Sequence, residues 1–152
     1  MKRIKIIVQY VGTNYAGWQV QPGQKTIQGE LEKAIKQGLH ETCKVEGSGR
    51  TDSGVHAFGQ VAHFDTKTDI EGTKICYILN NYLPDDIRVL ESCEVEKTFH
   101  SRLNAKKKTY QYNFYVSKIK LPLFDQTYAQ VPYGFDILRP QSVLNVKHLL
   151  YS

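Results

Sequence analysis

Cysteine is scarce: Cys43, Cys76 and Cys93 are the only three in 152 residues. Their odd number and the lack of any C-x-x-C spacing argue against a disulfide framework or a cysteine zinc site. They fit a reducing cytoplasm and read as small apolar residues in or near a core. Long apolar runs are also missing. Lys5 and Gln9 interrupt the one that follows Met1-Lys2-Arg3, and no small-residue cleavage site comes after it, so neither a signal segment nor a membrane span is expected. The histidines His40, His56, His63, His100 and His148 lack a ligand spacing such as H-E-x-x-H, so no metal is expected, and His56 reads as a loop-packing residue. Acidic residues are absent from one segment. Lys97 to Phe124 holds seven Lys or Arg and no Asp or Glu, more than the +5 surplus of the whole chain. The same segment carries Tyr110, Tyr112, Phe114 and Tyr115. Cations that meet phosphates beside rings that stack on bases suit a nucleic-acid surface. A solvated strand whose aromatics alternate into a core has the same composition.

What is present is a globular composition, 41% hydrophobic and 23% charged, in a chain long enough to bury a core unaided. Ile4, Ile6, Val8 and Tyr10 alternate with Lys5, Ile7, Gln9 and Val11, which predicts a strand. Gly12 to Gly23 reads as a loop. Ile27, Leu31, Ile35 and Leu39 recur every four residues, with Ala34 on the same face and Thr26 as N-cap. This predicts a helix over 27–40. Short strands follow at Lys44–Gly49 and Gln60–Phe64. A second helix over 70–82, capped by Asp69 and carrying Ile75, Ile78 and Leu79, stops before Pro84. Ile87–Val95 and Lys106–Val116 read as strands, the latter with Tyr110, Tyr112 and Phe114 on one face. Phe135–Leu150 has some helical spacing, with Pro140 near its start. The order to Val95 is β-α-β-β-α-β, the ferredoxin-like pattern of the α+β class, with an antiparallel sheet.

The segment richest in chemistry is Gly49-Arg50-Thr51-Asp52-Ser53-Gly54-Val55-His56-Ala57. Glycines let the chain turn sharply and let a substrate approach. In extended chain Arg50 and Asp52 point to one side, so the guanidinium would hold the carboxylate ionised, ready as nucleophile or base. An Asp that merely closes a turn is the plain alternative. Asp52-Ser53-Gly54 is also the tripeptide of aspartic proteases, but those pair two carboxylates over a shared proton, which Arg50 opposes. A phosphatase-type aspartyl nucleophile would need further acids for Mg²⁺, and no D-x-D follows the first strand.

An ordered set of segments resembles the tRNA pseudouridine synthase A family. Tyr10-Val11-Gly12-Thr13-Asn14-Tyr15-Ala16-Gly17-Trp18-Gln19-Val20-Gln21 is similar to its YDGxxYxGWQxQ opening, and Thr26 to Glu32 to its first helix. Gly49 to Ala57 is similar to its GRTDxGVHA loop, followed by Gly59 to Phe64 as GQVxHF. Leu79-Asn80 with Leu83 to Ile87 matches LNxxLPxDI, and Phe99 to Tyr112 matches FHARFSAKxKTYxY. Ser53 stands for alanine, and Leu103-Asn104 for Phe-Ser. The resemblance implies isomerisation of uridine to pseudouridine in the anticodon stem-loop of tRNA, with no cofactor or metal, by a cytoplasmic homodimer. It implies Asp52 as the catalytic nucleophile, Arg50 beside it and Tyr110 against the target base; the charge of Arg102, Lys106, Lys107 and Lys108 puts them on RNA phosphates. It further implies a ferredoxin-like domain over 1–104 and the start of an incomplete second half over 105–152. On that expectation the chain alone is inactive and association-prone. A non-catalytic RNA-binding or assembly module of the same fold is the alternative function.

Overall fold

The structure, a computed structural model, describes residues 1–131 and the backbone of 148–151. Its first strand, β1 (Lys2–Tyr10), buries Ile4, Ile6, Val8 and Tyr10 and turns the intervening residues outward, as strand alternation requires. Helix α1 (Ile27–Leu39) lays Ile27, Leu31, Ala34, Ile35 and Leu39 onto that face. Its N-terminus is closed by the Thr26 hydroxyl, which accepts from the Gly29 amide at 3.2 Å. His40 ends it in the left-handed region at φ 57°. After β2 (Glu46–Gly47), β3 (His56–Thr66) and α2 (Ile75–Asn80), strand β4 (Ile87–Val95) completes the unit.

Strand β1 lies between β3 and β4 and is antiparallel to both, with Ile6 opposite Ala62 and Ser92. Strand β2 pairs antiparallel with β3, Glu46 opposite His63. The spatial order β4-β1-β3-β2 is the antiparallel sheet of a ferredoxin-like α+β domain. The core cluster joins the buried face of this sheet to α1 and α2 through Phe64, Leu31, Ile35, Ile75, Leu79 and Ile87. Burying each such side chain contributes about 1.5–3 kcal/mol. The helices approach closely at Gly38, where a Cβ would come within 2.7 Å of Ile78. Cys43 and Cys76 are buried, Cys93 half-buried, and all three are free thiols. Among the described residues no helix is long and apolar enough to cross a membrane.

Several expectations need correction. The second helix is shorter than 70–82: a 3-10 turn at Gly72–Lys74 leads into α2, and Asp69 caps nothing. The amides of Thr68 and Ile70 are taken instead by the hydroxyls of Thr66 and Thr68, local bonds that compete with helix. Strand β3 extends the Gln60–Phe64 reading at both ends. The expected strand over 106–116 is two strands, β5 (Thr109–Tyr112) and β6 (Phe114–Val116), broken at Asn113. There the Asn113 carbonyl accepts the Ala129 amide, which pulls β6 into a separate parallel pair with β7 (Ala129–Val131). Strand β8 (His148–Tyr151) runs parallel to β3 and carries β5 on its far edge. The helical reading of 135–150 therefore fails at 148–150, and its remainder lies outside the described residues.

Candidate active site

The turn between β2 and β3 is fixed mainly through its backbone. The Ser48 amide donates to the Val61 carbonyl at 2.7 Å, and the Gln60 side chain donates to the Gly49 carbonyl at 2.7 Å. Thr51 is buried; its carbonyl accepts from the Trp18 amide at 2.9 Å, and its hydroxyl pairs with the Tyr10 hydroxyl at 2.9 Å. The Asp52 carbonyl accepts the Val55 amide, closing a tight turn in which Gly54 has φ 79°. That left-handed conformation favours glycine. Next in the chain, the Tyr15 carbonyl accepts both the Ser53 hydroxyl at 3.1 Å and the Gly54 amide at 3.3 Å.

The 10–18 segment is thus the cradle of this turn, and its glycines explain how it comes so close. A Cβ on Gly12 would lie 1.9 Å from the Val55 carbonyl oxygen, and one on Gly17 2.6 Å from that of Thr51. The Gly12 amide donates to Nδ1 of buried His56 at 3.0 Å, so the neutral His56 ring carries its proton on Nε2. His56 does pack the loop. Tyr15 is itself anchored: its hydroxyl donates to the Asp86 carboxylate at 2.5 Å, while the Asp86 carbonyl accepts the Val11 amide. Burial first, and this bond second, push the phenol well above the ordinary tyrosine range.

Against this fixed backbone the Asp52 side chain is exposed. Among the described residues none of the ion pairs includes it. Arg50 is exposed too, and the pairing expected of the two is absent from this structure. Alternation would need extended strand, whereas β2 ends at Gly47 and Asp52 opens a turn. Arg50 instead lines a cleft of about 100 Å³ with Arg102, Lys44, Glu46, Trp18 and Gln19. Lys106 and Lys107 line a second cleft of about 330 Å³ with Lys5, Ser48, Val61 and Phe99. The Lys108 ammonium lies 3.6 Å from where a Cβ on Gly49 would stand. Tyr110 is 53% exposed on β5. In register it faces Leu150, which faces Ala57, which faces Tyr10. This row sets Tyr110 two strands from the residues that leave the Asp52 turn.

Lys5 and Lys44 were not legible as cleft residues. Lys5 sits on the outward register of β1, a signal that marks exposure but not the company it keeps. Glu46, His63 and His100 also come together, their ligating atoms within 4.8 Å of one another. This is the grouping a metal ion would use. His100, however, accepts at Nδ1 from the Arg102 and Leu103 amides at 3.3 and 3.4 Å. Its neutral ring then carries the proton on Nε2, the atom 3.2 Å from Glu46. That is a hydrogen-bonding tautomer rather than a ligating one. The Ser101 hydroxyl donates to the Glu46 carbonyl and lies 2.9 Å from His63 Nδ1. The cluster therefore braces segment 99–104 against β2 and β3.

A family model described as tRNA pseudouridine synthase matches residues 6–104. The chain belongs to that family. It is 52% identical over 116 residues to a protein of Maridesulfovibrio salexigens named tRNA pseudouridine synthase A, covering 76% of this chain and 43% of that one. A protein of the same name from Ruminiclostridium cellulolyticum is 50% identical over 117 residues, 77% and 48% of the two chains. One from Caldicellulosiruptor saccharolyticus is 43% identical over 141 residues, 93% and 58%. The chain spans about half the length of the curated relatives it matches. Both the Asp52 turn and its cradle fall inside the span matched to the pseudouridine synthase family.

Proposed function

We propose that this chain carries the catalytic turn of a pseudouridine synthase that isomerises uridine in the anticodon stem-loop of tRNA. The N1–C1′ bond of uridine breaks, the base turns, and a C5–C1′ bond forms. The proton leaves C5 and N1 regains one, so atoms and electrons balance without oxidant or cofactor. Asp52 is the nucleophile: its carboxylate forms a transient bond to the uridine, and that bond breaks again before pseudouridine leaves, which restores the free carboxylate. The observation that carries this reading is an exposed carboxylate on a turn whose backbone is held from both sides, by Trp18 and Thr51 before it and Tyr15 after it. Such a group meets a substrate without moving, and fixed geometry is a large part of rate acceleration.

A base inside a stem must first be flipped out, which costs a few kcal/mol. In this reading Arg50 and Arg102 meet the backbone of the opened strand, and Tyr110 lies against the turned base. Lys106, Lys107 and Lys108 neutralise phosphates, offsetting that cost. The working form is a cytoplasmic homodimer.

The test uses tRNA tritiated at C5 of uridine. Tritium enters solvent only when the C5–H bond is cut, so a form of the protein as long as its curated relatives is expected to release it with turnover. Replacing Lys106, Lys107 and Lys108 by alanine should weaken tRNA binding and flatten its log–log salt dependence by about two units. Tight, salt-sensitive tRNA binding without any tritium release would make the chain an RNA-binding module of the same fold.

A further inference from the structure

We infer that Tyr15 and Asp86 are positioning residues for the Asp52 turn, joined as a single brace that reaches it from the start of β4. The inference rests on the reading of Asp52 as the reacting group. Ser53 and Gly54 follow Asp52 directly, and both bond to one atom, the Tyr15 carbonyl oxygen, at 3.1 and 3.3 Å. Where Tyr15 sits therefore decides where the turn sits. Tyr15 is only 2% exposed, and three contacts fix it. Its amide donates to the Gly12 carbonyl at 3.0 Å, its hydroxyl to Asp86 Oδ1 at 2.5 Å, and the Lys25 ammonium lies 5.0 Å from its ring centre.

Asp86, half-buried, is the end of the brace that adjoins the core. It immediately precedes Ile87, which is fully buried and pairs with Tyr10 across β1 and β4. Its carbonyl also takes the Val11 amide at 2.9 Å. One residue thus grips the cradle twice, by backbone at Val11 and by side chain at Tyr15. The path Asp86–Tyr15–Ser53/Gly54–Asp52 links β4 to the turn through hydrogen bonds. Of the contacts to Tyr15, the carboxylate bond is the strongest kind, being charge-assisted. Its donor persists at working pH, because burial and Asp86 both keep the phenol protonated.

A bond that only stabilises the fold would affect all protected amides alike, whereas a positioning brace acts locally. Tyr15→Phe removes one oxygen and keeps the ring and the carbonyl. Asp86→Asn keeps an acceptor for the phenol, and Asp86→Ala removes it. Residue-resolved amide exchange is measured on the protein and the three variants, and tRNA turnover on the same four in a form as long as the curated relatives. Tyr15→Phe and Asp86→Ala are expected to speed exchange at Gly54 and Val55 about tenfold relative to Ile6 and Ala62 in the core strands. They are expected to lower kcat about ten- to hundredfold with KM for tRNA within about twofold. Asp86→Asn should recover most of both effects. Uniform acceleration of all amides, unchanged exchange in the turn, or local acceleration with unchanged kcat would each overturn the brace. The exchange arm needs no turnover. Absence of turnover in the unsubstituted protein would count against the Asp52 chemistry alone.

Discussion

Strands β1 and β5 carry similar alternating apolar patterns and meet opposite surroundings. In β1 every second residue from Ile4 to Tyr10 is at most 2% exposed, because α1 and α2 cover that face. In β5 all four residues are exposed, Tyr110 at 53% and Tyr112 at 48%. The contrast extends beyond two strands. The core cluster runs from Ile4 to Val89 and takes in no residue of 105–131. That later stretch instead shows Ile119, Leu123 and Phe124 at its surface. Alternation tells which residues share a face, but it does not tell whether anything lies on that face. The first region is a sheet with its cover supplied by helices of its own. The second leaves its aromatics exposed, as the proposed contact with RNA requires.

The sharpest way to break this comparison is truncation on each side of it. Phe64→Ala, in the core, is expected to cost about 3–5 kcal/mol, and Tyr112→Ala to stay within about 0.5 kcal/mol, both by denaturant unfolding. Similar costs would mean that β5 is as packed as β3. A smaller effect is expected at the cradle. Gly12→Ala drives a Cβ into the Val55 carbonyl and should cost about 1–3 kcal/mol. Gly23→Ala, at φ 70° but with nothing within 4 Å, should cost only the backbone penalty of about 1 kcal/mol. Equal values would show that the cradle yields where the structure has it tight.

The smallest effect concerns pH. Burial, then the Arg3 guanidinium, then His100, hold His63 below its ordinary value of 6.5. The unfolded chain therefore takes up a proton at a higher pH than the folded one. The stability that comes from keeping this ring neutral is complete above about 6.5 and is lost as pH falls through the lowered folded value. Asp65 is held below its ordinary 3.8, chiefly by a hydrogen bond from Arg3, so its contribution disappears only in stronger acid. Unfolding curves between pH 7.5 and 5 are expected to show a gentle decline that His63→Gln removes. A decline that the variant leaves intact would assign the slope to another group.

Much of the first region was legible because burial writes periodicity into sequence. The four-residue spacing from Ile27 to Leu39 placed α1 to within a residue, Thr26 was its cap, and Ile87–Val95 matched β4. The failures have local physical causes. Threonine hydroxyls competed with the start of the second helix. Asn113 diverted a strand whose alternation continued straight across it. At the site, the segment around Asp52 stood out by its glycines and its resemblance to a family, but its partners did not. Tyr15 and Asp86 are 71 residues apart, and Gly12 and His56 are 44 apart. Nothing in a local pattern announces such bonds. The Arg50–Asp52 pairing was inferred from alternation that a turn does not obey. The same distance in sequence hid the grouping of Glu46, His63 and His100.

The central claim is that a braced turn presents Asp52 for chemistry rather than for folding. Asp52→Asn tests it most directly, made in a form as long as the curated relatives, with pseudouridine counted in digests of treated tRNA. The side chain is exposed and among the described residues takes part in no ion pair, so stability should change by less than about 0.5 kcal/mol and tRNA affinity by less than about twofold. Pseudouridine formation should fall by about a thousandfold or more. A variant that folds, binds tRNA and still forms pseudouridine at the original rate would contradict the account.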